Sequence, residues 1–318
     1  MTARPATVPA ESTGVTPGSQ DTVNGDGLRD HPTRPVDHDT RGIMAPRRMP
    51  EFATLSRFEA QVELAGLVDW FWCVEWDLPS GVVHRQRVLT QPGVNVSVGT
   101  SPPPGDDPPP GPWPLTVMVD GVATRMTTRA LSGRGFNLAA KSTTGGFGAW
   151  IDDVSALTDT TLPAAGIIPL GDTLARDIAD AARTSLSAAV DVLASGLLGA
   201  LHDRPEERIA TAREVARIAR VAETDRTIRR VADLAALAGS TPRTLQRLFA
   251  RYAGVSPTWV IRRFRLLEAA EFVRDGEHVE WSAVAADLGY SDQAHLVRDF
   301  TANIGTSPAA YARAQRPD

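Results

Sequence analysis

Two stretches near the C-terminus repeat one pattern: residues 231–257 read VADLAALAGSTPRTLQRLFARYAGVSP, and residues 281–308 read WSAVAADLGYSDQAHLVRDFTANIGTSP. Identical residues recur between them at a fixed offset in the numbering. The pairs are Ala235/Ala286, Leu237/Leu288, Ser240/Ser291, Leu245/Leu296, Arg247/Arg298, Phe249/Phe300, Gly254/Gly305, Ser256/Ser307 and Pro257/Pro308. So many identities at one offset predict two copies of the same structural unit.

Each copy has the pattern of two short helices joined by a tight turn. In the first copy, Gly239 supplies the backbone freedom that ends one helix, and Pro242 suits the first turn of the next. The second helix of each copy has a narrow apolar stripe and an opposite face of long polar side chains. These outward side chains are Arg243, Gln246, Arg247 and Arg251 in the first copy, and Gln293, His295 and Arg298 in the second. A helix that reads the major groove of DNA needs such a face.

The same residues resemble the DNA-binding domain of AraC-type regulators over about residues 227–313. The motifs are Val231-Ala232-Asp233-Leu234-Ala235, Thr241-Pro242-Arg243-Thr244-Leu245-Gln246-Arg247-Leu248-Phe249, Gly254-Val255-Ser256-Pro257 and Gly289-Tyr290-Ser291-Asp292-Gln293-Ala294-His295-Leu296-Val297-Arg298-Asp299-Phe300. The resemblance implies two helix-turn-helix units joined by a long helix at about residues 257–274, with both recognition helices in successive major grooves. It implies a sequence-specific transcription regulator that is not an enzyme and carries no cofactor. Ala294 stands where many members have a longer polar side chain, which predicts poorer base reading by the second copy.

Charge is distributed unevenly along the chain. The formal net charge is −5, which argues against a protein that coats nucleic acid indiscriminately. Residues 226–265 nevertheless contain Asp233 as their only acid. The arginines of this window are Arg226, Arg229, Arg230, Arg243, Arg247, Arg251, Arg262, Arg263 and Arg265. Guanidinium groups can donate two hydrogen bonds to a phosphate or a guanine edge, so the window favours DNA binding.

Four segments follow from composition and periodicity, and together they predict an α+β protein. Residues 1–50 are rich in Pro and Gly and contain no Phe, Trp or Tyr, which predicts a disordered tail. Residues 51–171 predict a mainly β domain that follows a short opening helix. Residues 172–224 predict a helical linker, and residues 225–316 predict an all-α domain with two helix-turn-helix units.

The β domain is predicted from strict alternation of apolar and polar residues. Trp70, Trp72 and Trp76 fall on one face of a strand that extends to Leu78, and Asp120-Gly121 is typical of a two-residue hairpin turn. Together with Phe147, these tryptophans either pack in a core or line a pocket for an apolar or planar effector.

The β domain also resembles an uncharacterised β-rich domain that often precedes the AraC-type module in bacteria. The residues that carry the resemblance are Trp72-Cys73-Val74-Glu75-Trp76-Asp77-Leu78-Pro79, Gly133-Arg134-Gly135-Phe136, Gly145-Gly146-Phe147 and Ala156-Leu157-Thr158-Asp159. Ser142-Thr143-Thr144 stands where relatives usually have Phe-Arg-Pro. If that run contacts a ligand, the contact is altered here.

The linker pattern predicts one amphipathic helix over residues 174–201 and a second helix that begins after Pro205. These helices either pack on a neighbouring domain or form a dimerisation surface. The sequence has neither a secretory signal nor an apolar membrane span, so we expect a cytoplasmic protein.

Cys73 is the only cysteine, and no histidine pair has metal-ligand spacing, which predicts a buried structural thiol and no metal site. Three hypotheses remain: an effector-responsive regulator, a ligand-independent dimeric regulator, and a DNA-repair enzyme with an appended DNA-binding domain. The third requires a reactive cysteine, for which Cys73 has no basic neighbour. Double-stranded DNA is the predicted partner, followed by a second copy of the chain, with a small effector and RNA polymerase left open.

Overall fold

The computed structural model describes residues 35–36, 42–43, 46–108, 113–275 and 280–314. The strands are β1 Pro35–Val36, β2 Ala53–Glu59, β3 Val68–Asp77, β4 Val83–Val88, β5 Asn95–Gly99, β6 Thr116–Asp120, β7 Thr127–Ser132, β8 Arg134–Ser142 and β9 Thr161–Pro163. One antiparallel sheet has the order β1-β2-β3-β8-β5-β6-β9, and β4 and β7 form a separate antiparallel pair. The predicted β domain is therefore confirmed.

Strand β3 lies inside the large sheet, between β2 and β8, and its two faces differ. Phe71 and Cys73 enter the main core, where both are fully buried. Trp70, Trp72 and Trp76 point to the opposite face, towards the β4–β7 pair. The alternation read from the sequence is confirmed, and it separates a core face from a second face that is rich in tryptophan.

The opening helix, one predicted turn and part of the predicted tail differ in detail from the sequence predictions. The opening helix is a 3-10 helix at Pro46–Glu51, and it is followed directly by strand β2. Asp120-Gly121 is not a hairpin turn, since β6 pairs with β5 and β9, and residues 122–126 form no strand. Most of the predicted tail lies outside the described residues, but Pro35–Val36 pairs with β2 and Met49 is buried, so ordered chain begins before residue 50.

The helices are α1 Leu174–Ala182, α2 Leu186–Gly199, α3 Glu206–Thr224, α4 Val231–Leu237, α5 Pro242–Ala253, α6 Pro257–Asp275, α7 Trp281–Asp287, α8 Gln293–Ile304 and α9 Pro308–Ala314. The single helix predicted over residues 174–201 is two helices. The hydroxyl of Ser185 accepts the backbone N–H of Ala188 and so caps the start of α2. A residue at an N-cap position has a non-helical backbone, so Ser185 separates two helices. The apolar residues on either side keep a helical spacing, and for that reason the sequence pattern predicts one helix. None of the described helices is long and apolar enough to cross a membrane.

The two helix-turn-helix units are α4–α5 and α7–α8, joined by α6, which confirms the predicted α+β fold. The offset between them is not uniform. Gly239 and Gly289 both adopt positive φ after the first helix of their unit, 50 positions apart, whereas α5 and α8 begin 51 apart. The second turn is thus one residue longer. Consequently Leu237 and Leu288 are not equivalent: the first is exposed and the second is buried.

The linker helix α3 packs on both parts of the chain. Its buried face is largely alanine, and it contacts the 3-10 helix Gly146–Ala149 of the β domain as well as α5 and α6. Arg208 of α3 donates to the carbonyls of Gly148 and Ile151 at 2.9 and 2.7 Å. Helix α3 thus packs on neighbouring parts of the chain, and a dimerisation surface on the linker stays a prediction.

Candidate DNA interface

The first recognition helix, α5, is capped by Thr241, whose hydroxyl accepts the backbone N–H of Thr244 at 3.2 Å. Leu245 and Phe249 are fully buried beneath it. Arg243, Gln246 and Arg247 are exposed on its outer face, as predicted for a helix that enters a groove. These three side chains lie in the N-terminal half of α5, the half that contacts base edges in helix-turn-helix proteins.

Arg251, the fourth side chain predicted to face DNA, is engaged elsewhere. Its Nε donates to the carbonyl of Asp152 in the β domain at 2.9 Å. The next residue, Tyr252, is buried and lies beneath the guanidinium of Arg208, 5.3 Å from ring centroid to Cζ. One side of the C-terminal half of α5 thus packs on the β domain and α3, although Arg251 itself remains exposed.

The second recognition helix, α8, is capped by Asp292, whose carboxylate accepts the backbone N–H of His295 at 2.7 Å. That hydrogen bond lowers the pKa of Asp292 from its ordinary value, so an acid stays ionised at the tip of this helix. Gln293 and Arg298 are exposed. His295 is half-buried, because its ring packs edge-on against Tyr290 at 5.2 Å and its Nδ1 lies 3.2 Å from the Ser291 hydroxyl.

The arginine-rich window separates into two groups in the structure. Arg263 and Arg265 are buried, Arg226 pairs with Glu268, and Arg251 holds the β domain. The other arginines of the window are exposed: Arg229, Arg230, Arg243, Arg247 and Arg262. The charge available to phosphates is therefore smaller than the sequence window suggests.

Helix α6 is fixed to the β domain by Arg263. This guanidinium is 2 % exposed and donates to the carbonyls of Thr124 and Ala123. It also lies over the ring of Trp259, 4.7 Å from the centroid. Burial lowers the pKa of Arg263 to about 10, so the group remains charged at neutral pH. Two carbonyls outside regular strands thereby obtain a charged donor.

The second helix-turn-helix unit is held by Arg87 of β4. Its guanidinium donates to the carbonyl of Ile304, the last residue of α8, at 2.6 Å. Cations at a helix C-terminus complement the helix dipole. On the first unit, the hydroxyl of Thr158 donates to the carbonyl of Gly254 at 2.7 Å, at the end of α5. The β domain thus contacts both recognition helices at their C-terminal ends.

A cavity of about 160 Å³ lies between the large sheet and the β4–β7 pair; we call it the tryptophan cavity. Its residues include Ile43, Met49, Ala53, Leu55, Arg57, Trp70, Trp72, Val74, Trp76, His84, Gln86, Val88, Thr90, Gln91, Asn95, Ser101, Arg129, Leu131, Asn137 and Lys141. Phe147, which the sequence grouped with the tryptophans, lies instead in the main core, packed against Trp150 at 5.7 Å between centroids. Phe147 is therefore buried among apolar core residues and does not line the tryptophan cavity.

Thr143 and Thr144, which belong to the run singled out in the sequence as a candidate ligand contact, do not line the tryptophan cavity. Their hydroxyls donate to the carbonyls of Gly66 and Pro92, both at 2.8 Å. Cys73 is buried, and burial followed by the charge of Glu75 raises the pKa of its thiol to about 12. No group of three or more potential metal ligands occurs in the part of the chain that the structure describes.

Sequence reasoning missed the roles of Arg87 and Arg263, two of the arginines that join the β domain to the helices. Arg87 lies in the alternating run of β4, where it resembles any exposed strand residue. Arg263 offered a signal, since it occupies an apolar stretch of α6 between Ile261 and Phe264. A charged residue in a buried helix face must find a partner, and the partner here belongs to another domain.

Two family models match the chain. One, described as a helix-turn-helix domain, matches residues 234–314. The other, described as a domain of unknown function (DUF6597), matches residues 56–163. No curated protein sequence matches the chain.

Several solved structures are similar to parts of the chain. The C-terminal domain of AraT, a response regulator from Geobacillus stearothermophilus, is 21 % identical over 33 % of this chain and 88 % of its own, with a TM-score of 0.31. A probable AraC family transcriptional regulator from Rhodopseudomonas palustris is 28 % identical over 33 % and 98 %, with a TM-score of 0.29. ToxT from Vibrio cholerae is 9 % identical over 76 % and 98 %, with a TM-score of 0.40.

Proposed function

We propose that this chain is a DNA-binding transcription regulator of the AraC type, and that its β domain controls DNA binding in response to a small effector. The effector site in this proposal is the tryptophan cavity. The proposal also assigns Arg243, Gln246, Arg247, Gln293, His295 and Arg298 to the DNA contact.

One observation carries this proposal: the β domain contacts both recognition helices at their C-terminal ends and leaves their N-terminal halves exposed. Arg87 bonds Ile304, and Thr158 bonds Gly254. Arg263 fixes the connecting helix to the same domain. DNA can therefore reach both helices while their separation depends on the β domain.

Strand β4 connects the cavity to the second recognition helix. His84, Gln86 and Val88 line the cavity, and the alternate residue Arg87 points away from it to the end of α8. Since successive side chains of a strand point to opposite faces, a shift of β4 in response to an occupant moves Arg87 as well. A ligand can shift the DNA-binding equilibrium only through such differential contacts.

The test has two parts. Footprinting on a mapped operator should give two protected patches about 10–10.5 base pairs apart per monomer. Thermal-shift screening of the full chain should find a small molecule that raises its melting temperature by mass action and also changes operator affinity. A stabilising molecule with no effect on DNA affinity would contradict effector control and favour a regulator that works without a ligand.

Association with a second copy of the chain and contact with RNA polymerase remain part of the proposal. They rest on the resemblance to AraC-type regulators alone. Sedimentation of the full chain with and without operator DNA tests the first of them.

A further inference from the structure

We propose that the tryptophan cavity binds a monocyclic aromatic carboxylate. This inference rests on the proposed function, because it names the chemical class of the effector. It is argued from the shape, the charge and the aromatic surfaces of the cavity.

One wall of the cavity is apolar and rich in tryptophan. Trp70, Trp72 and Trp76 lie on one face of β3, with Leu55 on β2 beside them and Leu131 on β7 opposite. The indole N–H of Trp72 donates to Oδ1 of Asn95, and that of Trp76 donates to the carbonyl of Ser132, both at 3.1 Å. Both indole N–H groups thus have partners within the protein, and the Trp72 and Trp76 rings can pack against a planar apolar group.

Among the residues that the structure describes, the charged side chains that line the cavity are cationic. Arg57, Arg129 and Lys141 belong to the lining, and none of the described lining residues is Asp or Glu. Asp69 pairs with Lys141 and Asp120 pairs with Arg129, each at 2.8 Å, but both acids approach from outside the lining.

Two of these cations meet at one ring. The guanidinium carbon of Arg57 and Nζ of Lys141 each lie 4.5 Å from the ring centroid of Trp70. Both side chains are buried, at 7 % and 6 % exposure. Lys141 is also the only lysine of the chain, in which the other basic side chains besides histidine are arginines. An anion placed beside Trp70 would accept charge-assisted hydrogen bonds in a region shielded from water.

The volume of the cavity limits the size of the ligand. A volume of about 160 Å³ is close to that of an apolar protein cavity that holds benzene, roughly 150 Å³. The cavity therefore accommodates one ring with a small substituent. The lining is apolar at its tryptophan wall and cationic at one side, and the cationic side disfavours an amine.

The experiment is a titration of the full-length protein at neutral pH, followed by tryptophan fluorescence and calorimetry. The probes are benzoate, benzyl alcohol, benzylamine and hexanoate. We expect benzoate to bind about tenfold or more tightly than benzyl alcohol, because a hydrogen bond to a charged group contributes about 1.5 kcal/mol or more. Hexanoate should bind more weakly than benzoate, and benzylamine should not bind. Equal affinity for benzoate and benzyl alcohol, or tighter binding of hexanoate or benzylamine, would overturn the proposal.

Two variants locate the binding site. Lys141→Gln and Arg57→Gln should each weaken benzoate binding about tenfold and leave benzyl alcohol binding nearly unchanged. Arg85→Gln is the matched control, since Arg85 lies on β4 but pairs with Asp107 outside the cavity. If a variant fails to fold, the wild-type series of probes still decides the question. Unchanged benzoate affinity in both folded variants would overturn the assignment.

The outcomes also separate this inference from the proposed function. Benzoate binding with no change in operator affinity would support the ligand class and contradict effector control. A neutral or cationic molecule that changes operator affinity, with no binding of benzoate, would support effector control and overturn the ligand class.

Discussion

At the scale of single residues, arginine side chains of one sequence window have different roles. Arg262 and Arg263 are neighbours in α6, yet the first is exposed and the second is 2 % exposed. The register of the helix against the β domain decides which one is buried. Charge counting along the sequence cannot make this distinction, because it depends on contacts between segments more than a hundred residues apart.

Replacing Arg263 by Ala should lower the free energy of unfolding by about 2–4 kcal/mol, since it leaves buried carbonyls without a donor and opens a cavity. Arg262→Ala is the matched control and should change it by less than about 0.5 kcal/mol. Urea denaturation of the full chain measures both. Similar losses in the two variants would contradict the assignment of Arg263 as the residue that joins the domains.

Cys73 should be inert in the folded protein, because burial raises the pKa of its thiol to about 12 and reactivity requires the thiolate. At pH 8 we expect a thiol reagent to label it at a negligible rate in buffer and rapidly in denaturant. Mass spectrometry of the single cysteine follows the reaction. Rapid labelling of the folded chain would indicate an accessible sensor thiol and would contradict the structural role.

At the scale of elements, periodicity predicted the helices of the C-terminal domain closely, since helix ends there carry strong local signals. Gly239 and Thr241 mark one turn, and Gly289 and Asp292 mark the other. A glycine that ends a helix and a capping residue that begins one each determine the backbone within a few residues of their own position. The second recognition helix begins one residue after its cap, as expected from local sequence alone.

The wrong hairpin at Asp120-Gly121 has a non-local cause. The carboxylate of Asp120 accepts hydrogen bonds from Ser97, Arg129 and Thr161, so it serves the sheet interior and not a turn. A Cβ on Gly121 would lie 1.7 Å from the carbonyl oxygen of Leu157. Glycine is therefore needed there for close approach of two chain segments. Local turn statistics cannot separate that need from a tight turn.

The tryptophan face of β3 shows what the alternation of apolar and polar residues can and cannot predict. It predicted correctly that Trp70, Trp72 and Trp76 share one side of a strand. It could not show that β4 and β7 cover that side as a separate pair, nor that Phe147 faces the main core. The first fact depends on pairing between distant strands, and the second depends on how the 3-10 helix Gly146–Ala149 packs in the core. Neither leaves a periodic trace in the sequence.

The two recognition helices should contribute unequally to DNA binding. Arg247→Ala should cost roughly 1–3 kcal/mol of operator affinity, because Arg247 is exposed on a helix whose tip carries no acid. Arg298→Ala should cost less, since Asp292 stays ionised at the tip of α8 and repels phosphate. Titrations against a mapped and a scrambled operator at two salt concentrations measure both effects. A larger loss for Arg298→Ala would reverse the assignment.

At the scale of the whole molecule, the β domain connects two DNA-reading units that share few contacts with each other. Arg87 holds the end of α8, while Thr158 and Arg251 hold the C-terminal part of α5 and the residue that caps it. The distance between the recognition helices is thus set by contacts to a third body. The free energy needed to change the spacing of the two helices cannot exceed the free energy of the contacts that would be broken.

This arrangement predicts that Arg87 enforces the spacing of the two half-sites. Inserting two base pairs between the half-sites rotates one against the other by about 70° and should weaken wild-type binding by about tenfold or more. In Arg87→Gln the loss should be about threefold to tenfold smaller, because the hydrogen bond that restrains α8 is gone. Arg85→Gln, on the same strand but bonded to Asp107, should behave as the wild type does. Competition assays with operators of normal and extended spacing give these ratios directly. Equal spacing penalties in all three proteins would contradict a role of Arg87 and would leave the connecting helix α6 as the element that sets the separation.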